Sequence, residues 1–236
     1  MLQALADWLG PDGTTVLFLS LKVSLWATMA SLPPGILCAL VLARGRFWGH
    51  GLLNGLVHLP LILPPVVTGY LLLVIMGRRG PVGAWLEQAF GIVFAFRWTG
   101  AALAAAVMAF PLLVRAIRLA IEAVDPRLED AAATLGASRA AVFATVTLPL
   151  ILPGIIAGAV LAFAKSMGEF GATITFVSNI PGQTQTLPSA IYTALQVPGQ
   201  GETVARLAAL SIAVALVALG AAEWLSRAVA RRVAGR

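Results

Sequence analysis

Long apolar runs separated by short polar and basic intervals set the pattern of this chain. A membrane helix needs about 20 largely apolar residues to cross the hydrocarbon. Five stretches reach that length. The first lies within Thr14–Ala43 and carries no charge from Val23 to Ala43. The others run over Leu52–Gly77, Trp98–Ala120, Thr147–Phe170 and Thr203–Ala228. The pattern predicts an all-α polytopic membrane protein of about five transmembrane helices, built as one transmembrane domain over residues 1–236.

Two intervals break this rhythm. Residues 172–201 are uncharged but rich in Thr, Ser, Asn, Gln, Pro and Gly, too polar to face lipid. Pro181-Gly182 reads there as a turn, and Thr186–Gln196 as a short helix at the outer mouth or partly re-entering. Such backbone is tolerated at membrane depth only inside protein or beside water. Prolines also fall within the spans, at 33, 34, 60, 64, 65, 111, 149 and 153. Each removes a backbone donor and can kink its helix. The string Leu-Pro-Leu-Ile-Leu-Pro occurs at 59–64 and again at 148–153, each expected near the cytoplasmic foot of a span.

Composition agrees with lipid as the solvent. Hydrophobic residues make up 59% of the chain and charged ones 11%, against about 25% charged in soluble domains. The net charge of +6 does not form a nucleic-acid-binding stripe, which would need a basic face on a soluble scaffold. The basic residues instead flank the apolar runs. Arg44 and Arg46, then Arg115, Arg118, Arg127 and Arg139, then Arg227, Arg231, Arg232 and Arg236 supply ten of the sixteen Lys and Arg residues. Five crossings with the N-terminus outside put all three groups on the cytoplasmic side, as positive residues prefer. Arg78, Arg79 and Arg97 then fall outside. Asp7 precedes any basic residue and the first apolar run is long, so no cleavable signal peptide is expected.

Candidate chemistry is sparse. Cys38, the single cysteine, sits in an apolar run and reads as packing. His50 and His58 are eight apart without a nearby acid and read as interfacial or packed side chains. No Gly-rich Lys-Ser/Thr phosphate loop is present, and Ser166 has no evident general base. No cofactor, metal or catalytic residue is expected.

The longest charged interval, about 122–146, is different. Asp125 suits the cap of a helix whose first residue is Pro126, with Glu129 and Asp130 near its positive end. Ala131, Ala132 and Ala133 give a small-residue face, Gly136 suits a left-handed stop, and Ser138 can cap a second helix. The order Asp130-Ala131-Ala132, then Gly136 six residues after the acid, then Leu148-Pro149, resembles the EAA loop of ABC importer permeases. That resemblance implies the type I importer permease fold and a coupling helix pressed into a groove of a partner ATPase. The family usually has Glu where this chain has Asp130, so Glu129 or Asp130 is the contacting acid.

Further stretches resemble molybdate permeases: Leu59–Tyr70, Asp125–Pro149, Gly168-Glu169-Phe170-Gly171-Ala172-Thr173 and Ile180–Thr186. The resemblance implies a permease for molybdate or tungstate in a bacterial inner membrane. Its implied partners are two ATPase copies, a periplasmic binding protein and a second copy of the chain. Sulfate permeases share the general pattern, and an ion-coupled secondary transporter is the rival class. Lys165 and Glu169, four apart, can pair on one helix face, either beside an oxyanion path or as a structural lock. Thr68, Ser166 and Thr173 are candidate pathway hydroxyls.

Overall fold

A pair of consecutive prolines marks the break in the second crossing. In the computed structural model, which describes residues 2–233 with side chains over 13–221 and at Trp224, helix α1 (Leu2–Arg44) is followed by α2 (His50–Ile62) and α3 (Pro65–Met76). A proline drives the residue before it out of helical geometry. Leu63 precedes Pro64, and Pro64 precedes Pro65. Both accordingly adopt extended backbone, with ψ of 143° and 134°. The helices on either side differ in direction by 115°. The expected single span over Leu52–Gly77 is therefore corrected to a broken pair. Prolines alone do not suffice: Pro111 and Pro153 stay inside their helices, and the adjacent pair Pro33-Pro34 stays inside α1. What sets Pro64-Pro65 apart is that α3 beyond them seats on α9. The two Leu-Pro-Leu-Ile-Leu-Pro strings also differ in their placement. The first lies at the far end of α2 and its break, not at the foot of a span, whereas the second opens α8.

The remaining helices are α4 (Pro81–Phe90), α5 (Trp98–Glu122), α6 (Pro126–Thr134), α7 (Arg139–Val142), a π-turn (Phe143–Thr147), α8 (Leu148–Met167), α9 (Gly171–Val177), α10 (Leu187–Leu195) and α11 (Gly201–Val233). Helix α4 was not anticipated from the sequence, although Pro81 at its start and Gly91 (φ +67°) at its end are ordinary punctuation. Among the described residues, four helices are long and apolar enough to cross a membrane, five if the bent pair counts as one crossing.

Helix α5 is the central strut. Its buried face runs from Gly100 to Ile121 and is flanked by α1 and α8. One apolar cluster gathers Ala39, Leu42, Leu113, Ile117, Ile121 and Ile151 near the α6 end. Another gathers Val23, Ala105, Met108, Phe176 and Val177 toward the opposite end. Apolar side chains gain little by leaving lipid, so membrane helices associate through close backbone approach between small residues. Gly154 of α8 lies against Ala120, and a Cβ at Gly158 would stand 3.2 Å from Ala116 Cβ. This Gly-x-x-x-Gly face on α8 meets an Ala-x-x-x-Ala face on α5. Helix α11 is peripheral, with Ile212, Leu216, Val217 and Leu219 exposed. Arg227, Arg231 and Arg232 have no described side chains, and Arg236 lies outside the described residues, as does the side chain of Asp7.

Candidate coupling site and polar passage

The interval between the third and fourth crossings folds through local signals. Asp125 accepts a hydrogen bond from the Arg127 N–H at 3.0 Å and starts α6 with Pro126 in its first turn. At the other end Gly136 takes φ +88°. The Ala137 N–H then bonds the Ala132 carbonyl and the Gly136 N–H bonds that of Ala133, the double closure of a Schellman stop. Ser138 caps α7 through the Ala141 N–H at 3.3 Å. The second helix is not the separate short element expected. Backbone helicity continues from Arg139 through the π-turn into α8, a continuous stretch to Met167. The fourth crossing thus begins eight residues earlier than the expected Thr147.

Glu129 ties this hairpin to two spans. Arg44, the last residue of α1, donates from Nη1 to Glu129 Oε2 at 2.5 Å and from Nη2 to Oε1 at 3.0 Å. The Thr147 hydroxyl, on the π-turn under α8, donates to Oε1 at 2.6 Å. A two-pronged guanidinium–carboxylate contact fixes orientation as well as charge. Burial by itself raises the Glu129 carboxyl. The hydrogen bonds from Arg44 and Thr147, with the charge of Arg44, outweigh it and hold the group below its ordinary value. Asp130, the next residue, is exposed, as are Ala131 and Ala133, while Ala132 is half-buried. Leu148 and Pro149 are half-buried at the foot of α8.

Beside the clamp is a cavity of about 670 Å³ lined by Arg44, Glu129, Asp130, Arg139 and Phe143 among others. Leu128, Ala131 and Leu135 follow helical spacing and point away from the bundle, with Leu135 90% exposed. Sequence reasoning named Glu129 but not Arg44 or Thr147. No local pattern joins residues 85 positions apart.

The opposite end holds the other candidate residues. Lys165 Nζ is 2.9 Å from Glu169 Oε2, and Glu169 Oε1 accepts the Ala172 N–H at 3.0 Å. Glu169 is 3% exposed and bridges the break between α8 and α9. Helix α3 packs closely on α9. A Cβ at Gly69 would lie 2.5 Å from the Ala172 carbonyl oxygen, and one at Gly171 would lie 2.8 Å from Pro65 Cβ. Thr68 and Thr173 are buried on these two helices, and Ser166 is buried on α8. The Thr68 and Ser166 hydroxyls have no hydrogen-bond partner among the described residues. A buried hydroxyl stripe on α1, Ser20, Ser24, Thr28 and Ser31, escaped the sequence reading although its spacing of three and four was visible. His50 and His58 bond the backbone carbonyls of Leu42 and Asn54.

An all-helical bundle with a broken second crossing and a capped hairpin at one end is the permease fold of ABC importers. A chain in the crystal structure of a bacterial alginate ABC transporter, bound to its periplasmic protein, superposes with a TM-score of 0.74 at 19% identity, covering 93% of this chain and 80% of that one. The profile of the binding-protein-dependent transport system inner membrane component family matches residues 32–233. The chain belongs to that family. The Escherichia coli (strain K12) molybdenum transport system permease protein ModB is 62% identical over 226 residues, 96% of this chain and 98% of that protein. The sulfate transport system permease protein CysT of the same organism is 36% identical over 201 residues, 85% and 72% of the two chains.

Proposed function

We propose that this chain is the permease subunit of an ATP-driven importer of molybdate or tungstate. The observation that carries the cargo is its near full-length identity of 62% to a molybdenum transport permease, against 36% to a sulfate one. The chain works as a single multi-pass domain in a bacterial inner membrane, N-terminus outside and C-terminus inside. A second copy completes the passage, two ATPase subunits bind below, and a periplasmic binding protein delivers the anion. ATP hydrolysis belongs to the ATPase.

Helix α6 is the ATPase contact. The apolar stripe Leu128–Ala131–Leu135 lies outside the spans, where none of the described residues covers Leu135, and such a stripe marks a partner surface. Small residues at Ala131 and Ala132 let the helix seat deeply. Because Glu129 is held by Arg44 and Thr147, Asp130 is the acid that faces the ATPase. A push on α6 then reaches α1 through Arg44 and α8 through Thr147, so two spans move with one helix. Farther along, hydroxyls such as Thr68, Ser166 and Thr173 line the passage while Glu169 holds Lys165. Neutral donors suit an anion that must also leave.

The test is uptake of labelled molybdate by vesicles holding this permease with its ATPase and binding protein. Uptake that resists excess sulfate is the expected result. No uptake, or equal suppression by sulfate and unlabelled molybdate, would sink the cargo assignment.

A further inference from the structure

The end of the bundle away from α6 carries cations that coupling does not use. Three of the cations there have acidic partners, Arg78 with Glu87 at 3.7 Å, Lys165 with Glu169 at 2.9 Å, and Arg206 with Glu202, while Arg79 has none among the described residues. Lys22 and Arg97 have no acidic partner among the described residues. Both line one pocket of about 430 Å³, with Thr15, Phe18, Trp98 and Gln183.

Three features give this pocket a chemistry. The Lys22 ammonium stands 3.8 Å from the centroid of the Trp98 ring. The ring face steadies the charge without supplying an acceptor that would consume its N–H donors. Arg97 is exposed and offers a planar fork of donors suited to a tetrahedral anion. Gln183 adds an amide from the turn that follows Ile180, and among the described residues no carboxylate lines the pocket.

Lys22 precedes Arg44 on α1 by 44 − 22 = 22 residues, about 33 Å at 1.5 Å per residue. That is close to the ~30 Å of hydrocarbon, so the two residues mark opposite boundaries. Unpaired cations at the outer boundary oppose the charge bias that orients the chain, and membrane-level charges are costly to keep without a use.

We propose that this pocket binds a tetrahedral oxyanion group at the outer boundary, from free oxyanion or from the phosphate of an anionic lipid. The cavity is large enough to leave the anion partly hydrated, which favours weak, exchangeable binding. Only the free-anion source rests on the molybdate assignment.

The test uses the assembled transporter in nanodiscs of phosphatidylcholine alone, without binding protein and at low ionic strength. Equilibrium binding of labelled molybdate is measured for the natural chain and for Arg97→Gln, Arg97→Lys and Lys22→Gln. Arg97 is exposed, so its replacement leaves the packing intact. The free-anion source predicts saturable binding that weakens about tenfold or more in Arg97→Gln, the loss of one charge-assisted contact of ~1.4 kcal/mol or more, and that Arg97→Lys largely keeps. The lipid source predicts phosphatidylglycerol retained in native mass spectra from mixed-lipid discs, lost in Arg97→Gln and kept in Arg97→Lys. Binding of both probes that Arg97→Gln leaves unchanged overturns the proposal, as does the absence of both from the natural chain. Either failure, beside intact molybdate uptake, would refute the pocket and leave the cargo assignment standing.

Discussion

Exchanging Arg44 and Glu129 tests whether the clamp transmits motion or merely decorates the surface. The natural pair makes two hydrogen bonds, at 2.5 and 3.0 Å, and Thr147 adds a third at 2.6 Å. The Arg44 side chain is 41% exposed and that of Glu129 18%. Solvent screens such a pair, so its coupling belongs near the top of the exposed range, about 1 kcal/mol. The hydroxyl bond to a charged acceptor contributes about another 1 kcal/mol. Glu129→Gln should therefore loosen the hairpin by about 1–2 kcal/mol, close to a tenfold rise in the population detached from α1 and α8. The assay is molybdate delivered per ATP hydrolysed in proteoliposomes. Glu129→Gln and Arg44→Glu should each lower that ratio while the ATPase stays bound. The double exchange Arg44→Glu with Glu129→Arg should recover some of it. A double-mutant cycle with no interaction energy, together with an unchanged transport ratio, would refute the reasoning.

Three other outcomes follow from the same geometry. Gly136→Ala must hold a Cβ at φ +88°, costing about 1–2 kcal/mol, so ATPase association measured by pull-down should weaken while membrane insertion is unchanged. Gly69→Val places its branch against the Ala172 backbone, where a Cβ already lies 2.5 Å from the carbonyl oxygen. Overpacking of this kind costs about 1–3 kcal/mol or more, read as a lower unfolding temperature of the purified permease and loss of uptake. The third concerns pH. Because the Glu129 carboxyl is held below its ordinary value, its contribution to stability is complete above the unfolded-state pKa of about 4.3. It is lost as pH falls through the lower folded value. The stability gap between the natural chain and Glu129→Gln should be constant near neutrality and close on acidification; a gap that widens in acid would contradict the clamp.

Much of the molecule was legible along the chain because it is decided within a few residues or by the solvent. Apolar length gave the crossings, since lipid offers backbone groups no partner. Asp125, Pro126, Gly136 and Ser138 gave the hairpin, since caps and stops are satisfied by neighbours in sequence. What the chain hid is non-local or depends on competition between equals. Of the eight span prolines, only the adjacent Pro64 and Pro65 separate helices whose directions differ by 115°, and the angle itself is set by how α3 seats on α9. Ser138 looked like the start of a separate helix, but the π-turn that joins α7 to α8 arises from continuity with the span above. Glu129 and Asp130 are chemically near-equivalent neighbours, and a helix turns them about 100° apart. Which one is captured was settled by where α1 ends, because only there does Arg44 reach across 85 positions of sequence to close on Glu129.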